Sequence, residues 1–192
     1  LHLMQAQVAP HFLFNTLANV QALVDAGSPK AADLLRALTT YLRSAVPRLK
    51  GAQHSFSDEL SSVNAYLELM QMRMPDRLSF SVAMEKATAD LPCPPLAIMT
   101  LVENAIRHGI DPCERGGHID VNCTCSNTHA HIQVTDTGKG IAHQSGGTGT
   151  GLATLRERLK LAFGPDAALR FYANEPHGFR AEIDIPIARA HS

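Results

Sequence analysis

A change of hydrophobic period near Pro75 constrains this chain more than any other feature. Upstream of it, apolar residues recur every three or four positions, the spacing of amphipathic helices. "LHLMQAQVAPHFLFNTLANVQALV" predicts one helix from Leu1 to about Ala26. In "AGSPK", Gly27 serves as a stop, Ser28 as an N-cap and Pro29 as a first helical residue. "AADLLRALTTYLRSAV" carries a second stripe, Leu34, Leu35, Leu38, Tyr41, Leu42 and Val46, and ends before Pro47. Two helices of that length cannot enclose a core alone. They want a partner, most simply two more copies in a four-helix homodimer. "RLKGAQHSFS" follows as a linker, and Ser57 is expected to cap a third helix, "DELSSVNAYLELMQMRM".

From "PDRLSFSVAME" the period becomes two, with Leu78, Phe80 and Val82 on one face of a strand. "PPLAIMTLVENAIRHG" returns to helix, from Pro94 and Pro95 to Gly109, and "HIDVNCTC" and "HAHIQVTD" alternate as strands. "LATLRERLKLAF" is a helix that stops at Gly164-Pro165, and "ALRFYAN" and "GFRAEIDIPI" form a hairpin turned by "EPHG". The expected class is α+β. An N-terminal helical hairpin, residues 1–52, precedes an α/β sandwich, residues 53–192, whose single, mostly antiparallel sheet is covered by helices.

With 17 basic and 18 acidic residues the chain lacks the electrostatic footprint of a nucleic-acid binder, so no direct nucleic-acid contact is expected. It holds no apolar run of membrane-spanning length and no signal peptide. It begins in helical pattern without an initiator Met, as a fragment of a longer protein would; any membrane contact is expected only through a region upstream. Four cysteines are too few for a disulfide scaffold at this length, which points to a reducing compartment. The C-x-C and H-x-H of "HIDVNCTCSNTHAHIQV" suggest zinc. However, a register that buries Ile119, Val121, Ala130, Ile132 and Val134 puts the cysteines inside and His129 and His131 outside.

Three segments carry candidate chemistry. On a helical wheel of "TLVENAIRHG", Thr100, Asn104, Arg107 and His108 fall together, opposite Ile98, Met99, Val102, Ala105 and Ile106. An Asn amide oxygen suits a hard cation such as Mg²⁺, and Arg107 and His108 suit an anion, a ribose or a base. In "VTDTGKGI", Asp136 projects past a strand end, where a carboxylate can accept a hydrogen bond from the exocyclic amine of adenine. Gly138 and Gly140 there permit positive φ and close approach of backbone to a flat ligand. In "SGGTGTGL", Gly146, Gly147, Gly149 and Gly151 precede a helix, and backbone amides at a helix N-terminus suit phosphates. A fourth oddity is Pro10 beside His11 inside a helical run. Proline in a helix interior costs ~3 kcal/mol and frees the carbonyl four residues back, here that of Ala6, so a bend is expected there.

"LVENAIRHG", "DTGKGI" and "GTGTGLATLRERL" resemble the N, G1 and G2 boxes of the Bergerat ATP-binding fold. "QAQVAPHFLFNTLANV" resembles the phosphoacceptor helix of LytS-like sensor histidine kinases, with Ala9 in place of a common Asn, and Thr154 departs similarly after the last glycine box. The resemblance covers nearly the whole chain. It implies ATP-dependent phosphorylation of His11, then transfer to an aspartate of a response regulator, typically of LytTR type. It further implies Asn104 as the Mg²⁺ ligand, Asp136 as the adenine reader, and Gly138, Gly140, Gly147, Thr148, Gly149, Thr150, Gly151 and Leu152 around the nucleotide. Arg107, His108 and Lys139 stand as phosphate or ribose contacts, and Glu103 either assists the metal or polarises the nucleophile. Phe12 follows His11 where other histidine kinases carry an acid, so any base comes from elsewhere. Asn15, one turn on, is a candidate to orient a water for dephosphorylation. The parent is implied to be a bacterial inner-membrane sensor with this portion in the cytoplasm. An ATPase that hydrolyses without transfer, or a non-catalytic dimeric nucleotide-binding scaffold, is the alternative, and neither needs His11 in its motif.

Overall fold

The computed structural model describes residues 10–45, 54–140 and 150–187, with backbone alone at 10–12, 44, 45 and 150. Helices α1 (Pro10–Asp25) and α2 (Lys30–Ala45) form a hairpin. Its turn is built as the sequence requires: Gly27 takes φ 64, and the N–H groups of Gly27 and Ser28 donate to Val24 and Leu23, both at 2.9 Å. The expected start of the first helix and the carbonyl of Ala6 lie outside the described residues, as does Val46. α1 turns Leu13, Thr16, Val20 and Leu23 inward, with Thr16 fully buried. Phe14, Leu17 and Val24 lie 69%, 42% and 59% exposed on another face.

The α2 stripe finds its cover within the chain. Leu34, Leu38 and Tyr41 are buried against α3 (Phe56–Arg73), with the rings of Tyr41 and Tyr66 5.6 Å apart, while Leu35 points outward. Ser55 rather than Ser57 caps α3. Its hydroxyl accepts from the Asp58 N–H at 3.2 Å, and the Asp58 carboxylate accepts from the Ser55 N–H at 3.3 Å. Only Ser55 stands three residues ahead of an acid placed to return the bond, which completes a capping box.

The sheet contains β1 (Leu78–Met84), β2 (Gly117–Cys125), β3 (His129–Asp136), β4 (Ala168–Ala173) and β5 (Phe179–Pro186), in the order β1-β2-β3-β5-β4. β1 runs parallel to β2, and every other pair is antiparallel. The parallel pair needs a crossover, supplied by α4 (Ala97–Asn104) and the turn that continues it. One face, with Ile119, Val121, Cys123, Ile132, Val134, Ala181 and Ile183, packs beneath α3, α4 and α5 (Thr150–Phe163) in a single core. The other face is polar: Asp184 pairs with His131 and Arg170, and the His118 ring lies 2.9 Å from the hydroxyls of both Ser79 and Ser81. Cys123 is buried and His131 exposed, as the apolar register demands, whereas Cys125 and His129, where β2 turns into β3, are both half-buried.

Candidate functional site

α4 begins after Pro94 and Pro95 with Leu96 at φ 61, the one non-glycine residue at positive φ among those described. The Leu96 carbonyl accepts from the Thr100 N–H at 3.0 Å and from its hydroxyl at 2.7 Å. One turn on, the Thr100 carbonyl accepts from Asn104 Nδ2 at 2.8 Å. One of the two N–H donors of the Asn104 amide is thus used on its own helix, and Oδ1, the acceptor, remains for a ligand. Arg107 and His108 are both exposed. From Ala105 to Ile110 the backbone widens into a π-helix, a local form associated with functional sites. Arg77 clamps its end, one guanidinium nitrogen donating to the carbonyls of Ile110, Asp111 and Cys113 at 3.1, 2.9 and 3.0 Å.

Asp136 is 2% exposed at the end of β3. Burial pushes its carboxyl above the ordinary range, and the backbone N–H groups of Gly138 and Phe179 pull it back. The Gly138 bond to Oδ1 is 2.9 Å, and among the described residues no ion pair to Asp136 forms. Three glycines let the chain close around it. A Cβ on Gly109 would lie 2.6 Å from Asp136 Oδ1, one on Gly138 2.2 Å from the Gly109 carbonyl oxygen, and one on Gly178 1.9 Å from the Asp136 carbonyl oxygen. Lys139 N–H donates to the Gly109 carbonyl at 3.0 Å, and its side chain is exposed. The expectation of positive φ holds at Gly140, φ 71, but not at Gly138. Gly138 is needed because backbone meets backbone there: the strand end is sutured to the turn after Asn104.

Glu103 points elsewhere. It lines a cavity of about 290 Å³ with Leu96, Met99, Thr100, Gly151, Thr154 and Arg158. Burial pushes its carboxyl up. Burial first, and the Glu103 charge second, hold the Tyr41 hydroxyl up at about 12 and raise Tyr66 further. Glu103 therefore stands between the start of α5 and the tyrosines of α2 and α3. Gly151 and Leu152 belong to the first turn of α5, and Thr150 begins it. Gly147, Thr148 and Gly149 lie outside the described residues, as does the side chain of His11, whose backbone sits in α1. Asn15 is exposed on that helix.

The structure thus brings Asp136, Gly138 and the Lys139 backbone together against Gly109, five residues along the chain from Asn104. A larger cavity, about 780 Å³, is lined by His54, the 91–95 segment, α5 and the end of β5, and contains none of the expected site residues. Sequence reasoning missed Gly109, which it took only as a helix stop, and Gly178, which it took as a hairpin glycine. The signal for Gly109 was its position five residues after Asn104, too soon for a free helix end. The donor set fits the expected ligands. A buried carboxylate without a cation suits an amine donor, and a lone amide oxygen suits a hard cation.

The histidine kinase family model matches residues 1–78, and the model of histidine kinase-, DNA gyrase B- and HSP90-like ATPases matches residues 95–189. α3 falls under the first of these. The sensor histidine kinase/phosphatase LytS of Staphylococcus aureus is 39% identical over 181 residues, 88% of this chain. The chain spans 31% of the length of that relative. The Erythrobacter litoralis EL346 blue-light activated histidine kinase superposes with a TM-score of 0.58 at 17% identity, over 94% of this chain and 58% of that one. Histidine kinase ThkA, solved in complex with the response regulator protein TrrA, superposes with a TM-score of 0.54 at 14% identity, over 93% of this chain and 60% of that one. These two likenesses establish the fold. With both family models in this order along nearly all of the sequence, and a LytS relative at that identity, the chain belongs to the histidine kinases.

Proposed function

We propose that this chain is the kinase core of a two-component sensor, which transfers the γ-phosphoryl group of ATP to His11 and then to an aspartate on a response regulator. The observation that carries it is the buried Asp136 carboxylate, walled by Gly109 and Gly138, with Gly109 on the turn that continues the helix of Asn104. Asp136 accepts from the adenine amine. Asn104 Oδ1 holds the magnesium that, when bound, neutralises phosphate charge. Lys139, Arg107 and His108, all exposed, face phosphate or ribose. Gly147, Thr148, Gly149, Thr150, Gly151 and Leu152 are the residues proposed to meet the phosphates, the last three being in the first turn of α5.

Neutral His11 supplies the nucleophile: a ring nitrogen forms the P–N bond as the bond to the bridging oxygen of ADP breaks. Positioning dominates such transfers. A neutral imidazole, with an ordinary pKa near 6.5, is well populated at neutral pH. Glu103, with its carboxyl raised beside the α5 cavity, assists the metal or polarises the nucleophile.

Phe14, Leu17 and Val24, exposed on α1, are apolar area for a second copy, which supports a homodimer through the N-terminal helices. The ThkA–TrrA complex supports a response regulator as partner, and the LytS likeness favours one of LytTR type. ATP, regulator and reduced cysteines share the cytoplasm, where we place this portion of a membrane-anchored parent. No described helix is long and apolar enough to cross a membrane.

Incubation with γ-labelled ATP and Mg²⁺ tests the proposal. Acid-labile, base-stable label on the protein, absent from His11→Gln, is the expected result. Released phosphate without labelled protein would make the chain an ATPase, and nucleotide binding without either would make it a scaffold. Asn15→Ala, followed for phosphohistidine lifetime with a regulator present, tests the water-orienting role; an unchanged lifetime removes it.

A further inference from the structure

Glu59 lies on α3, which carries none of the residues assigned to nucleotide above, and it is 2% exposed. Its Oε2 accepts from the backbone N–H of Leu96 at 2.9 Å, and its Oε1 from that of Met99 at 3.1 Å. The same Oε2 is 2.7 Å from His54 Nε2. Leu96 is the N-cap residue of α4, and it has no side chain able to cap a helix. The first N–H groups of a helix lack intrahelical partners, and their ends carry partial positive charge. Glu59 supplies the missing acceptor from a neighbouring helix and places a carboxylate at the favourable end of the dipole. It also locks Leu96 at φ 61, a conformation that persists only where the surroundings over-determine it.

From that fixed point the hydrogen bonds run on to the metal-binding side chain. The Leu96 carbonyl accepts from Thr100 Oγ1 at 2.7 Å, and the Thr100 carbonyl accepts from Asn104 Nδ2 at 2.8 Å. At the other end, His54 stands where the segment from the phosphoacceptor hairpin enters α3. We propose, on the footing that Asn104 holds magnesium, that Glu59 is a positioning residue for the magnesium–nucleotide site. It fixes the first turn of α4, and through Thr100 the Asn104 amide, while His54 ties that setting to the segment arriving from the histidine-bearing helices. Groups that orient a metal ligand through hydrogen bonds are worth about 10- to 100-fold in metal affinity. Glu59 acts through two intervening bonds, so we expect about tenfold, the lower end.

The test uses Glu59→Gln in the full chain, which keeps the shape but sets an NH₂ group against one of the two backbone donors. Without nucleotide, the Leu96 or Met99 amide should exchange faster and the NMR signal of the Asn104 side-chain amide should move. The Mg²⁺ concentration that half-maximally strengthens ADP binding should rise about tenfold, with adenosine affinity, set at Asp136, unchanged. A Mg²⁺ requirement that does not move in Glu59→Gln, while Asn104→Asp moves it, overturns the role of Glu59 alone. One that moves in neither overturns Asn104 as the metal residue as well. Equal loss of adenosine binding and Mg²⁺ response makes Glu59 merely structural. If Glu59→Gln does not fold, His54→Gln decides: a shift of a few-fold in the Mg²⁺ requirement supports the relay, and none refutes it.

Discussion

Gly109→Ala should separate nucleotide recognition from stability. The added methyl would lie 2.6 Å from Asp136 Oδ1 and 2.7 Å from its Cγ. Ordinary contacts begin near 3.4 Å, so the carboxylate must retreat by roughly 0.8 Å, enough to break its 2.9 Å bond from the Gly138 N–H. A hydrogen bond to a charged group contributes about 1.5–3 kcal/mol. Gly109 lies in helical backbone at negative φ, where Ala is favoured over Gly by about 1 kcal/mol. The net destabilisation is therefore about 0.5–2 kcal/mol, a fall of a few degrees in Tm for a chain of this size. Adenine recognition has no such offset. Losing the amine–carboxylate bond costs about 1.5–3 kcal/mol, roughly 10- to 150-fold in Kd. Calorimetric titration with ADP beside a thermal melt reads both quantities. A Kd within twofold of the parent, with the melt unchanged, would mean that the Asp136 carboxylate does not read the base.

Three further outcomes follow from the structure. Asp136 must be ionised to accept from adenine with full strength, and burial raises its pKa, so adenosine affinity should fall as pH is lowered through that raised value, with a proton released on binding. The stability contribution of this group has the opposite sign. A raised folded pKa gives stability that is complete below the unfolded value of about 3.9 and is lost as pH rises through the folded value. The wild-type minus Asp136→Asn difference in Tm should therefore shrink with rising pH, and a flat difference would refute the assignment. Ser55→Ala should cost about 1 kcal/mol by removing the α3 cap, whereas exposed Ser57→Ala should cost almost nothing, as urea unfolding of the two variants will show.

Periodicity, with its glycine and proline stops, located the five α-helices and five strands that the structure describes, because each buries one face, but not the short 3-10 helix Lys86–Thr88. It could not say what covers that face. The stripe of α2 looks the same whether it meets a second copy or α3, and only the long-range contact of Tyr41 with Tyr66 decides. A related limit applies to α1: a helix with apolar residues on several sides has no unique inward face in the sequence, and in the structure Thr16 is buried while Leu17 and Val24 are exposed. Asn104 and Asp136 were legible as candidates because their proposed chemistry is carried by side-chain type. Gly109, Gly178 and Glu59 were not. Their roles depend on atoms 27 to 42 residues away in the chain that approach within bonding or clashing distance.

The docking of α2 on α3 limits how a stimulus can travel. Leu34, Leu38 and Tyr41 are each 2% exposed, and withdrawing them into water would cost about 1.5–3 kcal/mol apiece, a sum comparable with the total stability of many domains. The histidine-bearing arm is therefore not a tether that swings freely over its catalytic neighbour. Torque applied to it is delivered to α3 as to a welded joint, and α3 carries Glu59 to the very turn from which α4 begins.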